Sequence, residues 1–121
     1  MKTIQFTTTN PEKNFTVSKN DINNSKALLP NVLYKKMERF VTAIILKNPD
    51  ITTLNPKLYQ LEILENAFLN DKLLIQSNIK KLNQSELQIA IVVLRKDAKL
   101  TPVICKAVFK FQLKETIKKA S

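Results

Sequence analysis

The sequence predicts an α+β domain in which one long helix packs on a curved antiparallel sheet. Three observations predict it. Residues 31–47 place apolar side chains at helical spacing. After them the chain switches to an alternation of period two. The joints between the alternating segments are short and made of Asn, Asp and Ser. A lone helix beside strands joined by tight connections implies an antiparallel meander. The sheet is expected to curl around the helix and bury its apolar stripe.

The elements follow in chain order. Residues 1–20 are polar, with two short apolar alternations, Ile4/Phe6 and Phe15/Val17, each suited to a short strand. Asn10-Pro11 between them reads as a turn. Residues 21–31, DINNSKALLPN, form a loop leading into the helix. Pro30 marks the helix start, because its missing N–H would have no intrahelical partner in a first turn. Leu33, Met37, Phe40, Val41 and Ile44 form the apolar stripe, while Lys35, Lys36 and Arg39 lie mostly off it. Asn48-Pro49-Asp50 ends the helix.

The strands come next. Tyr59, Leu61 and Ile63 alternate, as do Leu73, Ile75, Ser77 and Ile79, and then Leu87, Ile89, Ile91 and Val93. Val103, Cys105, Ala107, Phe109, Phe111 and Leu113 form the last set, with Lys106 and Lys110 between them. Each set implies a strand with one buried face. Asn70-Asp71 and Asn83-Gln84-Ser85 are turn material, and Arg95–Pro102 is a longer hairpin loop.

Composition narrows the chemistry. The chain has 121 residues, 44% of them hydrophobic, which suffices for a single domain with its own core. It has no His, which removes the Ser–His–Asp triad and histidine-ligated metal sites. Cys105 is the only cysteine, so no intrachain disulfide forms, and its apolar surroundings mark it as a small buried hydrophobe. The chain has no glycine, so asparagine, the next-best residue for left-handed backbone, is expected to make the turns. The net charge of +10 is compatible with nucleic acid, an anionic membrane or a polyphosphate-bearing small molecule, or with a merely solvated surface. The basic residues are scattered in ones and twos, which argues against a disordered basic arm. No stretch is long and apolar enough to span a bilayer, and the N-terminus is too polar for a signal peptide, so a cytoplasmic location is expected.

The segment DINNSKALLPNVLYKKME resembles the signature region of the hot-dog fold acyl-CoA thioesterase family. That pattern runs Asp-x-Asn, a polar spacer, Gly, two variable residues, an apolar residue, Gly-Gly, and then a helix carrying Met-Asp. Asp21-Ile22-Asn23 falls on the first element, Leu29 on the apolar residue, Pro30-Asn31 on the glycine pair and Met37-Glu38 on Met-Asp. FLNDKLLIQSNIKKLNQSELQIAIVVLRKD is similar to the family's next stretch, with Asn70-Asp71 for Gly-Asp, and VICKAVFKFQLK is similar to its closing strand. Every signature glycine is replaced. The resemblance covers about residues 15–114 and implies one hot-dog domain over residues 1–121 with its core in that span, paired through edge strands into at least a homodimer with sites at the subunit interface.

The activity it implies is hydrolysis of acyl-CoA or acyl-ACP thioesters, with coenzyme A entering as part of the substrate and no resident cofactor or metal. Such hydrolysis needs a carboxylate that attacks the carbonyl or deprotonates water, an N–H donor for the oxyanion, and a polar group to orient water or the thioester. The resemblance gives Glu38 the first role, the Asn31 N–H the second and Asn23 the third. Lys80, Lys81, Arg95 and Lys96, near strand ends, are candidates for the coenzyme A phosphates. Each has an ordinary counterpart: Glu38 as a surface charge, Asn23 as a turn or cap residue, the cations as solvated lysines and arginine. Pro30 offers no N–H, so an oxyanion hole using that position is short of one donor. A degenerate domain that binds an acyl ligand or a protein partner without turnover is the alternative. A nucleic-acid module would need exposed aromatic residues for base stacking, whereas Phe109 and Phe111 share the face of Val103, Cys105 and Ala107 and read as core.

Overall fold

A computed structural model of the protein describes residues 11–47, 56–96 and 102–113. The Ile4/Phe6 pair, Asn10 and the Asn48-Pro49-Asp50 stop lie outside these residues. Among the described residues, one α-helix, α1 (Pro30–Leu46), a single 3-10 turn (Lys19–Asp21) and five strands, β1 (Glu12–Thr16), β2 (Lys57–Ile63), β3 (Lys72–Leu82), β4 (Glu86–Arg95) and β5 (Val103–Gln112), make up the fold.

Pro30 is the first helical residue, as its chemistry dictates, and the Leu29 carbonyl accepts the N–H groups of Val32 and Leu33 at 3.1 Å each. The buried residues of α1 are the five of the expected stripe: Leu33, Met37, Phe40, Val41 and Ile44. They meet the sheet's inner face, where Leu73, Ile75, Leu87, Ile89, Ile91, Val93, Cys105, Ala107, Phe109 and Phe111 are buried in the same core. Burial pushes the Cys105 thiol up to about 11, so it stays protonated and inert at neutral pH.

The sheet is antiparallel throughout, in the order β1-β3-β4-β5-β2. The expected meander therefore holds only for β3, β4 and β5. The chain leaving α1 enters the sheet at the far edge beside β5, and only then crosses to β3. Alternation along a strand specifies its faces but not its neighbours.

β2 also departs from expectation. Leu61 and Ile63 pair with Ala107 and Cys105 and share their face of the sheet, yet they are 43% and 44% exposed. Tyr59, at a bulge in the β2–β5 register, is 53% exposed, with the Lys110 ammonium 3.9 Å from its ring centre. These apolar residues lie on an edge strand, beyond the cover of the helix.

The turns are made largely as a glycine-free chain requires. Asn83 Oδ1 accepts the N–H groups of Ser85 and Glu86 and closes the β3–β4 hairpin. Asn70 takes left-handed backbone, with φ of 73°. The other left-handed residue is a lysine, Lys26, with φ of 64°. Lys26 falls on the single glycine of the signature pattern and Asn70 on the glycine of Gly-Asp. A lysine there carries a steric cost of about 1–2 kcal/mol. Lys26→Gly is therefore expected to stabilise the domain by about 1 kcal/mol, read as a rise in urea midpoint at unchanged slope.

Candidate active site

The segment before α1 is locked in place by backbone pairing. Leu28 donates to the Ala67 carbonyl (2.8 Å), Leu69 to that of Lys26 (3.0 Å) and Leu29 to that of Asp21 (2.8 Å). The carboxylate of Asp21 accepts the backbone N–H (3.0 Å) and hydroxyl (2.9 Å) of Ser18. The Ser18 backbone bond, with lesser help from its hydroxyl and Lys36, holds the Asp21 carboxyl below its ordinary range against partial burial. The signature Asp thus shapes the loop.

Asn23 does the same. Its Oδ1 accepts the N–H groups of Ser25 (2.8 Å) and Ala27 (3.1 Å), which makes it the organiser of the turn containing Lys26. Its Nδ2 makes no hydrogen bond among the described residues. Asn31 occupies the second position of α1, where an N–H has no intrahelical acceptor. With Val32 and Leu33 both bonded to Leu29 and Pro30 lacking an N–H, Asn31 carries the one uncommitted backbone donor at the start of α1 among the described residues.

Glu38 lies two turns further along α1, on the same flank as Asn31. It is partly buried and accepts a hydrogen bond from the Tyr34 phenol at 3.3 Å on Oε2. The Tyr34 ring packs on Phe109 of β5, with centroids 6.0 Å apart. Glu38 opens onto a groove of about 420 Å³ that it lines with Arg39, Thr42, Ala43, Leu46 and Pro56. Pro56 precedes β2, so the carboxylate faces the side of the molecule where the exposed edge strand lies. Tyr34 escaped the sequence reading. Its signal was the spacing of four from Glu38, which stacks the two on successive helical turns.

The four basic candidates do not form one cluster. Lys80 and Lys81 stand at the β3–β4 hairpin, whereas Arg95 and Lys96 stand at the opposite end of the same pair of strands. At a rise of about 3.3 Å per residue these groups are roughly 25 Å apart along the strands. Arg95 is also committed: it bonds Asp71 (3.3 Å), Glu65 (3.4 Å) and the Asn66 carbonyl (2.7 Å), and so clamps the loop that holds the helix start. Lys81 pairs with Glu86 at 3.2 Å. The sequence could not foresee this, because the acidic partners of Arg95 come from a loop 24 and 30 residues away.

No family model matches the sequence, and neither does any curated protein. Solved structures do match. An acyl-CoA hydrolase from Staphylococcus aureus, seen with butyryl coenzyme A, coenzyme A and coenzyme A disulfide, is similar over 93% of this chain and 70% of its own, with a TM-score of 0.78 and 12% identity. A hypothetical thioesterase from Streptococcus pneumoniae with coenzyme A covers 92% of this chain and 83% of its own, with a TM-score of 0.73 and 13% identity. A Streptococcus mutans protein bound to acetyl CoA gives 0.72 at 14% identity over 95% of this chain and 89% of its own. One helix on a five-stranded antiparallel sheet in this order is the hot-dog fold, as in these thioesterase structures. No helix among the described residues is long and apolar enough to cross a membrane.

Proposed function

We propose that the protein hydrolyses acyl thioesters, of coenzyme A or of acyl-carrier protein, in the cytoplasm and as a homodimer. The observation that carries this reading is the placement of Glu38: a partly buried carboxylate on a groove, on the flank of α1 whose start carries an uncommitted N–H. Glu38 takes a proton from water, whose oxygen bonds the thioester carbon. The charge on the carbonyl oxygen is met by the Asn31 N–H, and the C–S bond breaks to give a thiolate that recovers the proton from Glu38. Direct attack by the carboxylate, followed by hydrolysis of the anhydride, uses the same groups. Asn23 offers its Nδ2 to the thioester or water.

The spacing of the two groups supports the dimer reading. Seven residues of helix separate Asn31 from Glu38, about 10 Å along the axis. A reacting carbonyl needs its oxygen within about 3 Å of the donor and its carbon within about 3.5 Å of the nucleophile. A second copy would give a further way to bring the two groups onto one thioester. A second copy joined along β2 would cover Leu61 and Ile63 and bring its own α1 to the groove, so that each site takes Glu38 from one subunit and Asn31 from the other.

A panel of acyl-CoAs tests the activity, and mixed subunits test the shared site. Glu38→Gln and Asn31→Pro are each expected to be inactive alone. Mixed and reassembled, half the dimers are hybrids with one intact site of two, so about a quarter of wild-type activity returns. No recovery from two folded, exchanging variants rules out the shared site. The second reading, ligand binding without turnover, is favoured by Pro30, which leaves the helix start with a single free donor. It predicts thermal stabilisation by acyl-CoA with no thiol released.

A further inference from the structure

We propose that Tyr34 is the positioning residue of the Glu38 carboxylate, a role that rests on the thioesterase reading of that group. The two residues stand four apart on α1, and the Tyr34 phenol donates to Glu38 Oε2 at 3.3 Å. The donor is itself fixed. The Tyr34 ring lies against that of Phe109, with centroids 6.0 Å apart and planes inclined by 30°, and Phe109 is fully buried in β5. The sheet therefore reaches the carboxylate through two aromatic rings.

The chemistry explains why such a brace belongs here. Glutamate has one more rotatable bond than the aspartate of the signature pattern, and a free glutamate on a helix flank samples several rotamers. A phenol bound to one oxygen selects among them. It engages Oε2 and leaves Oε1 without a hydrogen-bond partner among the described residues, available to water or the thioester under this proposal. Partial burial, then the neighbouring Glu38 charge and the hydrogen bond to it, raise the Tyr34 phenol above its ordinary value. Tyr34 thus stays a protonated donor at neutral pH.

The protein has two tyrosines and no tryptophan, which permits a direct test. In a Tyr59→Phe background, tyrosinate absorbance during a pH titration reports Tyr34 alone. Adding Glu38→Gln removes the negative charge, and the Tyr34 midpoint is expected to move to lower pH. In the otherwise unaltered protein, Tyr34→Phe keeps the ring on Phe109 and deletes only the hydroxyl. It is expected to lower kcat about tenfold with KM little changed, the mark of a misoriented reacting group. A Tyr34 midpoint indifferent to Glu38→Gln overturns the proposal, as does a Tyr34→Phe enzyme with wild-type kcat. A wild-type protein inert toward every acyl-CoA defeats the thioesterase reading separately. The titration then still decides whether Tyr34 holds Glu38.

Discussion

Glu38→Gln is expected to lower kcat for acyl-CoA hydrolysis by about 10²- to 10⁴-fold, the range that a general base contributes. The amide keeps the shape and the possibility of a hydrogen bond with Tyr34, but it can neither attack a carbonyl nor take a proton from water. Stability should change by no more than about 0.5 kcal/mol, because the side chain is only partly buried and makes one hydrogen bond at 3.3 Å. Steady-state hydrolysis and thermal melts on the same preparations separate these effects. Glu38→Asp retains a carboxylate but withdraws it from the phenol, so an intermediate rate is expected. Equal turnover by wild type and Glu38→Gln would show that another group does the chemistry.

Phe109→Ala is expected to cost about 3–5 kcal/mol, a large part of the roughly 5–15 kcal/mol that holds a domain of this kind together. Phe109 is fully buried on the inner face of the sheet, between Ile89 of β4 and Leu58 of β2 in register. Its removal leaves a cavity under α1 and takes away the support of the Tyr34 ring. A fall in Tm on the order of 10–20 °C should follow. Lys106→Ala, at an exposed position of the same strand, should change stability by no more than about 0.5 kcal/mol. If both substitutions cost the same, the inner and outer faces of β5 have been assigned wrongly.

Much of this fold was written in local pattern. The stripe Leu33, Met37, Phe40, Val41 and Ile44 is the buried face of α1, because helical periodicity and burial are the same fact seen twice. Leu87, Ile89, Ile91 and Val93 are buried for the matching reason on a strand. The absence of glycine located its own consequences in part. Asn70 and Asn83 make turns as asparagine does, whereas the left-handed backbone at Lys26 is imposed by the pairing of Ala27 with Phe68 and of Leu28 with Ala67, which no local preference announces. Glu38 and the Asn31 donor were legible only through the resemblance, since a lone glutamate on a helix and a helix start are commonplace features.

The sequence by itself determined the inward stripe of α1 and the inward face of β4, where the helix begins, and that histidine-based chemistry is excluded, because each of these depends on spacing or composition alone. Only the tertiary structure decided that β2 joins the sheet beside β5, that Arg95 clamps a loop, and that Tyr34 reaches Glu38 while resting on Phe109. Those are pairings between segments far apart in the chain. They are selected by the packing of all the elements together, and no local stretch of residues carries the free energy that chooses them.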